Sequence, residues 1–346
     1  MATANCRVWA TARENLTCHG TATVSRERQP ARSHGGLEAQ MTSYHIDTDM
    51  GVDDGLAVAL ADALLSDVHS ISTVFGNVAV EIATRNALIF RNLLGRSTSW
   101  TVLKGASHAS DGFFINADRV HGQDGLGSAT QTLGPALLEL VARESVGDLE
   151  DIQPLSGSPV TIIGLGPATN IPNLVARYGP SAVEKIVLMS GVFFDRGNIT
   201  PHAEFNAYCD PAALQATLDL GIPTTIVPLD VCRKVQLARA TVAAYTQSYG
   251  SELTKLIVAS HMHYMDFYRT AEGIDGCFPH DAIAVLAALA PERFFHVSGK
   301  VTVECGSDFR GRTGVHLTET HVNIVTGGEL AWVRDILSRP PRSQRS

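Results

Sequence analysis

The chain has 346 residues, of which 45% are hydrophobic and 18% charged, and its formal net charge is -8. This is a globular composition with ample material for a large core, and its acidity, with no basic run outside the tails, argues against a nucleic-acid partner. No apolar stretch reaches the about 18 residues a membrane span needs.

Residues 1–41 are rich in Ala, Thr, Arg, Ser and Gln and lack a sustained apolar period, so they are expected to be a disordered N-terminal extension. Residues 42–338 read as one catalytic domain, and 339–346 as a flexible tail. A strand ending at Asp47 leads into a helix from Asp53 to about Ser66, striped by Leu56, Ala59, Leu60, Ala63 and Leu64. Strand patterns follow over Val68–Phe75, Trp100–Leu103, Val160–Ile163, Lys185–Met189 and Thr224–Val227. Helical patterns lie between them over Val80–Leu94, Pro135–Glu144 and Pro211–Leu220. Residues 105–130 form a long Gly- and Asp-rich loop, and Leu237–His263 reads as helical. A helix starts at His280, a β-rich stretch covers Val297–Val325, and a last helix lies near Gly328–Leu337. This alternation predicts an α/β fold with an open, mostly parallel sheet flanked by helices, Rossmann-like at its core. The six cysteines are irregularly spaced with no C-x-x-C pair, as expected of free thiols in a reducing compartment, and predict a cytoplasmic protein.

Four carboxylates stand in eight residues, Asp47-Thr48-Asp49-Met50-Gly51-Val52-Asp53-Asp54. Like charges so close repel unless a cation gathers them. Helix capping accounts for one or two of them. A calcium hand loop fails, because its Gly and Glu positions hold Val52 and Val58. Further polar residues stand where strands end, at Asn77, Leu165 to Asn170, Asn198 to Asn206 and His280-Asp281. In a parallel sheet those ends share one edge and can face one pocket.

Taken in order, these segments resemble the inosine–uridine preferring nucleoside hydrolases over roughly residues 44 to 335. The resemblance is carried by Asp47-Thr48-Asp49 with Gly51 and Asp53-Asp54, Gly76-Asn77, His121-Gly122 with Asp124-Gly125-Leu126-Gly127, and Gly166-Pro167 with Thr169-Asn170. It continues through Met189-Ser190-Gly191, Gly197-Asn198, Ala203-Glu204-Phe205-Asn206 with Asp210-Pro211, Pro228-Leu229-Asp230-Val231 and His280-Asp281. It implies a ribonucleoside substrate, release of free base and ribose, a role in nucleoside salvage, and a homodimer or homotetramer. It also implies a bound Ca2+ held by Asp49, Asp54, Asp281 and the carbonyl of Leu165, a ligand set that suits a hard cation. By the same resemblance Asp53 is the general base toward the attacking water, and Asp47 supports the cluster. Asn77, Asn198, Glu204 and Asn206 hold the ribose with Phe205 packed beside it, and His280 serves the leaving group. His121 is expected to line the base pocket. Tyr264 and Tyr268, i and i+4 on one helix face, are either core or a wall over the base. Three departures stand out: Met50 where Pro is frequent, which would loosen the turn, Gly55 where Ala is frequent, and Cys232-Arg233 where Thr is common.

Two other readings compete. A magnesium-dependent phosphohydrolase of the haloacid dehalogenase type would use Asp47 as nucleophile and Asp49 as acid, leaving Asp53-Asp54, Glu204-Phe205-Asn206 and His280-Asp281 without roles. A non-catalytic nucleoside-binding protein would keep the sugar contacts without base release.

Overall fold

The structure, a computed structural model, describes residues 42–153 and 157–342; the expectations for residues 1–41 and for the end of the tail lie outside them. One sheet organises the described chain. Its strands are β1 (Ser43–Thr48), β2 (Val68–Thr73), β3 (Thr101–Lys104), β4 (Gly147–Asp148), β5 (Val160–Gly164), β6 (Val183–Met189) and β7 (Thr224–Val227). A small pair, β8 (Leu237–Ala238) and β9 (Gly276–Cys277), stands apart, and β10 (Phe294–Val303), β11 (Thr313–Leu317) and β12 (Val322–Gly328) complete the main sheet. The order is β11-β10-β12-β7-β6-β5-β1-β2-β3-β4, with β10 antiparallel to both of its neighbours and the other pairs parallel.

The chain moves outward from β1 through β2 and β3 to β4, then returns to lay β5 on the other side of β1. The order therefore reverses between β1 and β5, where Asp47 pairs with Gly164. Ligands of open α/β sheets bind at such a switch point, beyond the carboxyl ends of the strands. Apolar residues cover both faces because successive side chains alternate. In β5, Ile163 joins a core with the helices Val52–Leu64, Val80–Leu93, Glu252–Ala271 and His280–Leu289, while its neighbour Ile162 joins another with Ile171–Tyr178 and Pro211–Leu218. Among the described residues no helix is long and apolar enough to cross a membrane.

Three expectations need correction. The stretch 237–263 is not one helix: Leu237–Ala238 is a strand, the helical part breaks at Ala244, and it breaks again at residues 249–251, where the Ser251 hydroxyl accepts from Thr254 N at 3.1 Å and starts a new helix that runs on to Ala271. The loop 105–130 contains a helical turn, Asp118–His121. Met50 does not loosen its turn: it is fully buried at φ 39°, which proline cannot adopt, and its N–H donates to Thr48 Oγ1 at 3.1 Å.

Gly55 is explained by packing. A Cβ there would meet Phe90 Cζ at 2.4 Å, and the Phe90 ring is fully buried. Helix propensity favours alanine by about 1 kcal/mol, whereas overpacking a core costs about 1–3 kcal/mol. Gly55→Ala is therefore expected to lower the Tm by a few degrees in thermal denaturation, and a raised Tm would contradict this packing.

Candidate active site

The acidic turn is built by a strand running directly into a helix. β1 ends at Thr48, Asp49 and Met50 turn the chain, and Asp53 and Asp54 occupy the first turn of the helix Val52–Leu64, where free amides favour negative charge. Asp54 accepts from Thr48 Oγ1 at 2.5 Å and from Gly51 N at 2.8 Å. Asn77, arriving from the end of β2, ties two carboxylates together. Its Nδ2 donates to Asp49 Oδ1 at 3.1 Å and to Asp54 Oδ2 at 2.9 Å, and its backbone N–H donates to Asp49 Oδ2 at 2.7 Å. Residue 76 must be glycine for this approach, since a Cβ would lie 2.1 Å from Asp49 Oδ2.

Asp281, at the start of the helix His280–Leu289, closes the cluster. Carboxylate oxygens of Asp53, Asp54 and Asp281 lie within 4.8 Å of one another, and all three residues are buried. Burial first, then the neighbouring carboxylates, push Asp53, Asp281 and the adjoining Asp49 well above the ordinary carboxylate range. Among the described residues the ion-pair contact to this triad is His121 Nδ1, 4.0 Å from Asp53, and burial holds that imidazole neutral with a pKa lowered to about 3. Concentrated buried negative charge without a basic partner is the donor set of a hard cation, so the residues fit a metal. The Leu165 carbonyl, just past β5, accepts from Asn206 Nδ2 at 2.7 Å and keeps a second lone pair.

A cavity of about 630 Å³ opens above the cluster. It is lined by twelve of the residues singled out from the sequence: Asp53, Asn77, His121, Leu165, Asn198, Glu204, Phe205, Asn206, Tyr264, Tyr268, His280 and Asp281. Asp49 and Asp54 stand behind this lining. So does Asp47, which is fully buried and accepts from Asn170 Nδ2 at 2.8 Å and from the Ser72 hydroxyl; burial raises its pKa to about 7. A nucleophilic Asp47, as the phosphohydrolase reading required, could not reach a substrate in the cavity.

Several lining groups already have partners. Glu204 caps the helix Phe205–Cys209, accepting from Asn206 N at 2.8 Å, Ala207 N at 3.0 Å and Gly191 N at 2.9 Å. Asn206 spends its amide on the carbonyls of Leu165 and Met189, leaving Oδ1 for a ligand. Asn198 Oδ1 accepts from Phe205 N at 2.8 Å. His121 Nδ1 accepts from Val52 N at 3.1 Å, so the neutral ring carries its proton on Nε2. Its ring lies 5.1 Å from that of Tyr264, which meets Tyr268 edge-on at 5.0 Å. The two tyrosines are thus both buried core and cavity wall. Tyr268 Oη lies 2.9 Å from His280 Nε2, and burial, with the Arg233 charge second, lowers the His280 pKa to about 3.

Sequence reasoning did not place Asn116, Arg119, Arg233, Phe267, Glu272 and Phe278 in the site, although all of them line the cavity. Phe267 shares the helix of the tyrosines, so carrying the helix past His263 would have found it. Arg119 and Asn116 sit in the long loop without a distinguishing signal.

A cavity lined by carboxylates, asparagines and aromatic rings at the switch point of a parallel sheet suits a small polyol joined to a planar ring. The sequence profile of the inosine-uridine preferring nucleoside hydrolases matches residues 44–334. The chain is 32% identical over 276 residues to Uridine nucleosidase 1 of Arabidopsis thaliana, covering 79% of this chain and 81% of that protein. It is 33% identical over 290 residues to the pyrimidine-specific ribonucleoside hydrolase RihA of Photobacterium profundum, covering 80% and 91%. Among solved structures, a purine-preferring ribonucleoside hydrolase from Gardnerella vaginalis superposes with a TM-score of 0.73 at 25% identity, covering 86% of this chain and 96% of that one. The class is that of hydrolases acting on N-glycosyl bonds. The chain belongs to the inosine–uridine preferring nucleoside hydrolase family.

Proposed function

We propose that the chain hydrolyses pyrimidine ribonucleosides, uridine foremost, to free base and ribose in nucleoside salvage, with calcium as its metal. The observation that carries the reading is the buried triad Asp53, Asp54 and Asp281 opening into a cavity lined by Asn77, Asn198, Glu204 and Asn206. The pyrimidine preference is supported by the names of the curated relatives. Asp49, Asp54, Asp281 and the Leu165 carbonyl would hold the ion. When bound, calcium supplies positive charge that offsets the carboxylates and acidifies the attacking water.

The rest of the chemistry belongs to side chains. Asp53 faces the cavity and takes a proton from the water as its oxygen attacks the anomeric carbon. As the C–N bond breaks, positive charge grows on the ribosyl ring, and the surrounding carboxylates stabilise it more strongly than they stabilise the neutral substrate. Asn77, Asn198, Glu204 and Asn206 hold the sugar, and Phe205 packs against it. The departing base gains electron density at its ring nitrogen and takes a hydrogen bond from the Tyr268–His280 pair, and the proton that Asp53 removed from water ends on the free base through solvent.

A second reading exchanges two roles. Asp53, and not Asp49, shares the close triangle with Asp54 and Asp281. Asp53 would then be the ligand, and Asp49, whose position Asn77 fixes, the base.

The test is base release from uridine, cytidine, inosine, adenosine and guanosine, with a chelator and with calcium restored. Uridine cleavage that stops with the chelator and returns with calcium is the expected result. Silence on all five nucleosides in calcium would refute the proposal.

A further inference from the structure

The wall carrying Asn198 is a loop of residues 193–198, which leaves β6 outside any strand or helix. Charged side chains pin it from two directions. Asp230 accepts from Phe193 N at 2.9 Å and Phe194 N at 2.6 Å. Arg233, just past the short helix Leu229–Cys232 that bears Asp230, donates to the Asp195 carboxylate at 3.1 Å, to the Gly197 carbonyl at 3.3 Å and to the Arg196 carbonyl. Arg196 then pairs with Glu272, just past the helix of Tyr264 and Tyr268. Arg233, Glu272 and Asn198 all line the cavity.

We infer that Arg233 is a positioning residue for the ribose: its guanidinium clamps residues 195–197 so that Asn198 is presented to the sugar. The inference rests on the proposed reading in which Asn198 and Phe205 hold the ribose. Asn198 follows the clamped carbonyls directly and accepts from Phe205 N, so a shift of the loop moves both groups. The Arg196–Glu272 pair alone is a poor anchor, because Arg196 is 66% exposed and such pairs are screened. Arg233 is 14% exposed and reaches three acceptors at once, which a planar guanidinium can do and a lysine ammonium matches only in part. This gives Arg233 a use at the position where the sequence departs from the common threonine-bearing pattern.

Arg233→Met is expected to raise the KM for uridine about tenfold while kcat changes by about twofold or less, since displaced sugar contacts weaken binding before chemistry. Calorimetric titration of the calcium-loaded protein with D-ribose should weaken in step. Arg233→Lys should recover part of both losses, and Asp195→Asn, at an exposed side chain, should shift KM in the same direction by less. Unchanged KM and unchanged ribose affinity in these variants overturn the assignment, as does a loss confined to Tm. Were the parent protein to release no base, the hydrolase reading would fall, while the ribose titration of parent and variants would still decide on Arg233.

Discussion

Asp53→Asn should abolish base release while the protein still binds its metal. The amide keeps the shape of the carboxylate but cannot take a proton from water. Loss of a general base typically costs about 10²–10⁴ in rate. The check is kcat for uridine beside calcium stoichiometry by calorimetry. If Asp53→Asn loses its metal and Asp49→Asn keeps it but loses turnover, the two aspartates exchange roles as the tight Asp53–Asp54–Asp281 triangle allows. Near-parental turnover in both variants would remove either carboxylate from the chemistry.

Asp281→Asn should have two effects of opposite sign. Calcium affinity and turnover at limiting calcium should fall by orders of magnitude, because one of three clustered buried carboxylates is gone. In chelator, however, the variant should melt higher than the parent at pH 8. In the metal-free parent the folded-state pKa values of Asp49, Asp53 and Asp281 are raised. For an acid raised on folding, stability is intact below the ordinary carboxylate range and is lost as pH climbs through the raised value. Parent protein in chelator should thus lose Tm between pH 5 and 8, and the variant should lose less. Saturating calcium restores the parent, since a ligand at a hundredfold its Kd contributes about 2.7 kcal/mol. Equal melting of the parent with and without calcium at pH 8 would mean that the triad holds no ion.

The acidic cluster was legible in the sequence because its spacing is local: four carboxylates within eight residues must crowd whatever the fold. The parallel sheet was legible for a similar reason, as alternating strand and helix patterns constrain topology through short connections. The resemblance then located Asp281 and Leu165, and the fold brings both to the same floor.

Local pattern also set the helix ends only to within a few residues, as over 237–263, where a short strand, a turn at Ala244 and the Ser251 cap divide what hydropathy alone reads as continuous. What the sequence determined by itself was therefore the class of chemistry, through residue types placed at strand ends. The tertiary structure decided which groups face the cavity: Asp53 lines it while Asp47, Asp49 and Asp54 stand behind it, and Arg233 reaches back to a loop some 36 residues away. The physical reason is that burial and the direction of a side chain depend on contacts between distant segments, which spacing along the chain does not encode.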